Sequence, residues 1–295
     1  MNPTDIATTQ RVDAFVSAAR PLESGDLHHL HQLAVSVAWP HRSRDLRLLM
    51  SLGRGYLALD EIERVLASGM YFEMGEDFAM LGMMITAPRL QTFGAGRWLL
   101  DRILADCGGR DLRLNATRAA YRLYESAGFV PVATVHQRQG MVGEGPLPEG
   151  GPTCPVRTLQ ASDLAALPAL DQVAFGAERR AVLEALFAVS EGTVALRDGV
   201  PAGFALIRDF GRGRVIGPVV AEDEAMAMAL IAPLVTRHRG QFLRIDTACD
   251  SPTFFAFLDA AGLDAFDTVT QMRLGKQRGG DGSVRTFGLA AHTLG

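Results

Sequence analysis

Residues 78–85 (FAMLGMMI) form an apolar run whose length and flanking turn residues predict a buried strand. The stretch Gln91-Thr92-Phe93-Gly94-Ala95-Gly96 follows, and then a helical pattern over 97–107 (RWLLDRILADC), so the segment reads as strand, tight turn and helix start. Glycines at 94 and 96 remove the Cβ atoms that would keep a ligand from the backbone, so that successive N–H groups and the positive end of a helix can face an anion. Upstream, leucines at 27, 30 and 33 and the interruption Trp39-Pro40-His41-Arg42 predict two helices over 20–49 joined at a proline turn. Strands are predicted at 56–59 and 70–74, with Gly75-Glu76-Asp77 turning into the apolar run. Strand alternation places Tyr71 and Glu73 on the face opposite Met70, Phe72 and Met74. A strand at 111–116, a short helix at 119–127 ending at Gly128 and a strand from 130 complete the first half. The fold class this predicts is α/β with a mixed, α+β type of sheet.

Composition narrows the function classes. At 295 residues and 48% hydrophobic content, the chain has core enough for two domains. A net charge of −4 provides no basic field for nucleic acid. No apolar run reaches the roughly 20 residues of a membrane span, and residues 1–20 lack a signal-peptide core, so a cytoplasmic protein is expected. Cys107, Cys154 and Cys249 are odd in number and far apart, which fits reduced thiols rather than staples or zinc ligands. His28, His29 and His31 have no carboxylate or cysteine cluster beside them and fit a solvated helix face, so no metal is expected.

From 140 to 155 the composition turns to glycine and proline, which marks a linker. The domains predicted are 1–142, a linker at 143–155, and 156–295. A shift of 134 positions carries Ala127-Gly128 onto Ala261-Gly262, Thr134-Val135 onto Thr268-Val269 and Gln137 onto Gln271, so the second half echoes the first. At that shift Gln91, Gly94, Gly96 and Tyr124 meet Ala225, Met228, Leu230 and Leu258, and the cradle is not repeated. Gly211-Arg212-Gly213-Arg214 lies between strand patterns at 202–208 and 215–220 and reads as a hairpin turn. Residues 284–295 are too apolar for a free tail.

Gln-x-x-Gly-x-Gly at a helix start (Gln91, Gly94, Gly96) combines with Leu-Tyr-Glu-x-x-Gly-Phe at 123–129, and with both the chain resembles the GNAT superfamily of acyl-CoA-dependent N-acetyltransferases. The resemblance implies two tandem GNAT-like domains, the second degenerate. It implies that the loop Gln91, Thr92, Phe93, Gly94, Ala95, Gly96 and Arg97 holds the pyrophosphate of acetyl-CoA, and that Tyr124 lies near the thioester sulfur as a general acid. It places Trp39, His41 and Arg42 at the acceptor side, where an arginine could fork onto a carboxylate. Backbone donors for the thioester carbonyl are expected near Ile85 and Thr86, and Glu73 is a candidate base. One departure stands out: Thr92 and Phe93 occupy positions where the family commonly has glycine and then a basic residue. The expected activity is direct acetyl transfer to an amine in a ternary complex, the alternative being a non-catalytic acyl-CoA-binding or regulatory protein. Neither the acceptor nor the oligomeric state is specified by these residues.

Overall fold

The computed structural model describes residues 7–13, 15–148, 154–279 and 282–295, with Phe15 described in its backbone alone. Linker positions 149–153 lie outside the described residues. The chain folds as two units that interleave in sequence: Met1–Leu114 with Ala120–Val130 and Arg273–Gly275, and Asn115–Ala119 with Pro131–Met272 and Lys276–Gly295.

The first unit opens with a hairpin, β1 (Thr9–Val12) and β2 (Phe15–Pro21), followed by helices α1 (Leu27–Ser36) and α2 (Ser43–Leu52). Next come β3 (Arg54–Leu59), β4 (Val65–Met74), β5 (Phe78–Thr86), α3 (Ala95–Asp106), β6 (Asp111–Ala116) and α4 (Tyr121–Ser126). The strands are ordered β1-β2-β3-β4-β5-β6, antiparallel as far as β5 and parallel between β5 and β6. The two-helix reading of 20–49 is met with one change, because Arg20 and Pro21 end β2 instead of opening a helix. The hairpin itself escaped prediction: its first strand, Thr-Gln-Arg-Val, is four residues long and buries Val12 alone.

α1 stops where Ala38 takes a left-handed conformation (φ 57°), with Ala38 N–H donating to Val35 O and Trp39 N–H to Ala34 O. That pair of hydrogen bonds is a Schellman ending, made here without a glycine. β4 starts five residues before the predicted 70, because Ala67, Ser68 and Gly69 hide the hydrophobic alternation. A Cβ on Gly69 would run into Met84 and Ile103, so the missing side chain is what lets α3 lie on this strand. Tyr71 shares that face, its hydroxyl donating to Asp106 of α3 at 3.3 Å. The predicted alternation therefore holds.

The second unit contains β7 (Val130–Met141), β8 (Val156–Thr158), α5 (Leu167–Phe175), α6 (Arg180–Phe187), β9 (Ser190–Arg197), β10 (Val200–Phe210) and β11 (Gly213–Ala221). It ends with α7 (Glu224–Arg237), β12 (Phe242–Thr247), α8 (Pro252–Ala260), β13 (Asp264–Leu274) and β14 (Arg285–Gly288). Its strand order is β13-β7-β12-β11-β10-β9-β8, with β14 on β11. The turn at 211–212 is a hairpin as predicted, and Phe254 and Phe257 are core residues. β7 precedes the linker yet pairs antiparallel with β12 from Phe242↔Met141 to Thr247↔His136. The boundary at 142/143 thus separates sequence repeats, whereas the folded bodies divide elsewhere.

The repeat reaches further than the 134-residue shift showed. Arg20 clamps Asp26 through two bonds of 2.7 and 2.6 Å while Asp26 also accepts from Glu23 N–H at 2.8 Å. Arg157, Asp163 and Gln160 N–H repeat that arrangement at 2.7, 2.8 and 2.8 Å. The shared signature is Arg-x-Leu-Glu/Gln-x-x-Asp, legible at 20–26 and 157–163.

A fully buried ion pair anchors the end of the second unit. Arg179 Nε and Nη2 donate to Asp171 at 2.7 Å, and Nη1 donates to the carbonyls of Leu294 and Gly295, also at 2.7 Å. Both side chains have no exposed surface. Asp171→Ala leaves a buried guanidinium without its counter-charge and is expected to destabilise the protein by about 3–5 kcal/mol. Denaturant unfolding measures this, and a loss below about 1 kcal/mol would show that the pair is not structural.

Candidate active site

The site is built where a ladder stops. β5 and β6 pair in parallel from Phe78↔Asp111 to Leu81↔Leu114 and no further, while β5 continues to Thr86. Within β5 the register to β4 shifts between Ser68 and Met70, and Met83 sits in a left-handed conformation (φ 51°). This is a β-bulge, held by a buried bond from Ser68 Oγ to Met83 O at 2.8 Å. Beyond it Ala87 N–H bonds Leu66 O, and the alternation of an antiparallel ladder then turns Ile85 toward its partner Ser68 on β4 and Thr86 away from β4. Of the two expected backbone donors, Thr86 faces the divergent edge; Ile85 is committed to the ladder.

From Thr86 the chain makes a 3-10 turn at Pro88–Leu90 and enters α3 through Gly94, whose φ of 88° is left-handed. No side chain caps the helix, and the N–H groups of Gly94, Ala95, Gly96 and Arg97 have no acceptor among the described residues. A Cβ on Gly96 would stand 3.1 Å from Thr86 Oγ1 and 3.6 Å from Leu123 Cδ2. That glycine lets the end of β5, the start of α3 and the body of α4 approach one another. Arg97 reinforces the junction, its Nη1 donating to Ser126 O and Oγ at 3.4 Å and its Nε to Asp101 at 2.8 Å. The Arg97 side chain is thus engaged, and its contribution to the loop is its backbone N–H. Gln91 Nε2 donates to Thr86 O at 3.4 Å.

The departures at 92 and 93 now have physical content. Thr92 is left-handed (φ 83°), a conformation that a glycine adopts freely and that strains a β-branched residue. Phe93 is 45% exposed and brings no charge to the loop.

Tyr124 lies on α4 next to Leu123, 5% exposed, with its ring edge-on to Phe129 at 5.8 Å. Its hydroxyl has no hydrogen-bond partner among the described residues, which sets it apart from Tyr56 and Tyr71, both bonded to Asp106. Burial pushes the Tyr124 phenol well above its usual range, and it stays protonated at neutral pH. Cys107 is buried and pushed up to about 12, and burial also raises Cys154 and Cys249, so these thiols are in their unreactive neutral form.

Glu73 does not belong to this site. It pairs with Arg110 at 3.2 Å and lies opposite Ala79, six residues along β4 from Ala67, which faces Thr86. At ~3.3 Å per residue the separation is about 20 Å, and the base reading is corrected to a surface ion pair. Trp39, His41 and Arg42 occupy the α1–α2 connection: the Trp39 and His41 rings stand 5.7 Å apart, and Arg42 N–H is held by Asp45 Oδ2 at 2.7 Å. Trp39 N–H bonds Ala34 O of α1, and Arg42 O accepts from Leu46 N–H of α2, so these two residues are fastened to the helices they join.

In the second unit the same ladder break is filled. β11 pairs in parallel with β12 from Arg214↔Leu243 to Ile216↔Ile245; then β14 takes its place, with Val219 opposite Gly288 and Ala221 opposite Arg285. Since β10 covers the other edge at Val219 and Val220, β14 wedges into the gap between β11 and β12, and Leu289 N–H bonds Asp246 O of β12 at 2.8 Å. The connection to α7 is two residues, Glu222 and Asp223, against eight (87–94) before α3, and Asp223 caps α7 by accepting from Met226 N–H at 2.8 Å. The fixed shift paired Gly94 with Met228; the helix starts pair it with Asp223, because the loop between has been shortened. Tyr124 still corresponds to Leu258. Phe129 N–H bonds Tyr124 O at 3.0 Å, and Leu263 N–H bonds Leu258 O at 2.8 Å, each closing around the same Ala-Gly ending.

Models of the acetyltransferase (GNAT) domain match residues 55–143 and again 167–288. The chain belongs to the GNAT superfamily, as a tandem member. Among solved structures, this tandem GNAT chain is similar to a candidate acetyltransferase of Pyrococcus horikoshii, with 20% identity over 95% of this chain and 96% of that one and a TM-score of 0.77. It is also similar to a GCN5-related N-acetyltransferase of Sphaerobacter thermophilus (16% identity, 89% and 96% coverage, TM-score 0.61). A tandem GNAT protein from the clavulanic acid biosynthesis pathway gives 16% identity, 88% and 99% coverage and a TM-score of 0.61. At these identities the likeness is one of fold. No curated protein sequence matches. Among the described residues no helix is long and apolar enough to cross a membrane, and no group of His, Cys, Asp and Glu could hold a metal.

Burial dictates how this GNAT chain titrates. Tyr56 is pushed up to about 12 by burial and by its bond to Asp106; Tyr71 and Tyr124 are also raised, chiefly by burial. Groups raised above their unfolded values stabilise the fold fully below about pH 10, and that stabilisation is lost as pH climbs through the folded values, a window from about 10 to 12 for Tyr56. An ultraviolet difference titration is expected to show Tyr56, Tyr71 and Tyr124 still protonated at about pH 10. Ionisation of half of the four tyrosines there would contradict the packing described.

Proposed function

We propose that the first unit binds acetyl-CoA and transfers its acetyl group to an amine, and that the second unit binds no coenzyme. The observation that carries this reading is the open helix start: four N–H groups at Gly94–Arg97 with neither a cap nor an acceptor, beside a ladder gap lined by Thr86, with Leu123 of the helix that carries Tyr124 packed close to Gly96. The residues fit the coenzyme. The N–H groups would hold its pyrophosphate at the positive end of α3, and the divergent edge of β5 would receive its extended arm. When bound, the coenzyme supplies an acyl thioester.

An amine with a pKa of about 10.4 is protonated at pH 7, and neutralising it costs about 4.6 kcal/mol. Positioning at the gap offsets part of that by making the attack effectively intramolecular. Thr86 N–H is aimed to polarise the thioester carbonyl. A phenol of ordinary pKa is already a weaker acid than a thiol of about 8.5, by about 2 kcal/mol, and burial of Tyr124 widens the difference. Tyr124 therefore acts by donating a hydrogen bond to the sulfur as charge develops there, with full proton transfer late or absent. Neutral, buried thiols argue for direct transfer over an acyl-cysteine.

The competing reading, a coenzyme-binding protein without catalysis, draws on Phe93, which leaves the loop without a cation. The unpartnered Tyr124 hydroxyl favours the enzyme.

Calorimetric titration of acetyl-CoA is expected to give one site per chain, abolished by Gly94→Glu, which puts a side chain and a negative charge where the phosphates would lie. Tyr124→Phe is expected to bind the coenzyme as wild type does and to lower the turnover of an accepted amine by about 10²-fold. Two sites per chain, or binding that survives Gly94→Glu, would refute the assignment. Unchanged turnover in Tyr124→Phe would remove the tyrosine from the chemistry.

A further inference from the structure

The hairpin β1–β2 has its own bearing on the loop. In β1, Val12 is fully buried in the cluster formed with Leu90, Ala95, Trp98 and Leu99, so that face of the strand looks at α3. Gln10, two residues earlier, points the same way by alternation. The main chain just ahead of it is fastened to the helix: Ala7 O accepts from Trp98 Nε1 at 3.0 Å and from Arg102 Nη1 at 3.1 Å. Gln10 is thereby set over the N-terminus of α3. Its Nε2 lies 3.1 Å from the position a Cβ on Gly94 would take, with no other atom within 4 Å there apart from the adjoining chain. The amide is partly buried and has no hydrogen-bond partner among the described residues.

We propose that Gln10 is a coenzyme-binding residue whose side-chain amide donates to a phosphate oxygen held at Gly94–Arg97. The inference rests on the reading of the first unit as the acetyl-CoA site. Three observations converge on it. Gln10 is a donor with nothing to donate to, held over four main-chain donors in the same condition. Phe93 is exposed and brings no charge to the loop, which leaves a place for a further donor. The strand that carries Gln10 is pinned to α3 itself, by main chain and by the burial of Val12, so the amide keeps its position relative to the helix start. A neutral amide provides one hydrogen bond to an anion without the long-range attraction of a lysine or arginine.

The test is calorimetry with acetyl-CoA on wild type, Gln10→Ala and Gln10→Glu, with Gly94→Glu as the control for the loop and a thermal melt for each protein. The inference predicts a loss of about tenfold in Gln10→Ala, from one bond to a charged acceptor, and a larger loss in Gln10→Glu, with thermal midpoints unchanged. A residue that merely packs would give the reverse order, since glutamate nearly preserves the shape of glutamine. Affinities within twofold of wild type in both Gln10 variants, with binding abolished in Gly94→Glu, would overturn the role of Gln10 and leave the coenzyme site standing. Tighter binding by Gln10→Ala would show that the amide competes with the ligand, and would also overturn it. A parallel fall of affinity and thermal midpoint in both variants would reduce Gln10 to a structural residue. No binding by wild type would remove both the inference and the reading beneath it.

Discussion

A parallel ladder that stops early is the constraint on which the site depends. β5 and β6 hold together over four residue pairs and then part, and the bulge at Met83, pinned by Ser68, re-aims the last turn of β5 away from its parallel partner. Main-chain groups along that edge then lack the neighbour that a continuous sheet would give them, which is costly unless water or a ligand takes its place. The uncapped start of α3 adds donors of the same kind at the end of the gap. Small residues make the meeting possible: Gly69 brings α3 down onto β4, and Gly96 brings it against Thr86 and Leu123. Fold and site thus share one origin, a sheet that diverges and a helix seated close upon it.

The second unit shows the same architecture with the vacancy removed. β14 completes the edge of β11, Asp223 caps α7 by accepting from Met226 N–H, and a two-residue connection replaces the long loop. Each change supplies internally what the first unit leaves open. Leu258, at the place of Tyr124, completes a core where the first unit keeps a hydroxyl. The two units thus share their packing, and the Arg-Asp clamps at 20–26 and 157–163 recur in both.

Much of this was legible in the residues, and what was not has physical reasons. The apolar run at 78–85, the paired glycines and the Leu-Tyr-Glu signature located β5, the start of α3 and the helix that carries Tyr124, since each is local in sequence. Glu73 was misplaced because alternation reveals which face a side chain takes and says nothing of how far along the strand the site lies. The hairpin at 9–21 was missed because four residues with a single buried valine carry no period. The exchange of β7 into the second unit was beyond sequence patterns, because a strand reads the same whichever partner it pairs with. A constant 134-residue shift also concealed the shortened loop before α7, which the helix caps reveal at once.

Amide hydrogen exchange, followed by segment with and without acetyl-CoA, tests the central claim most directly, because it reads the main-chain donors themselves. The account predicts slowed exchange at residues 84–86 and 94–97, and no change at 219–226 or 285–289, where β14 and Asp223 already fill the equivalent places. Protection confined to the second set, or none at either, would contradict it.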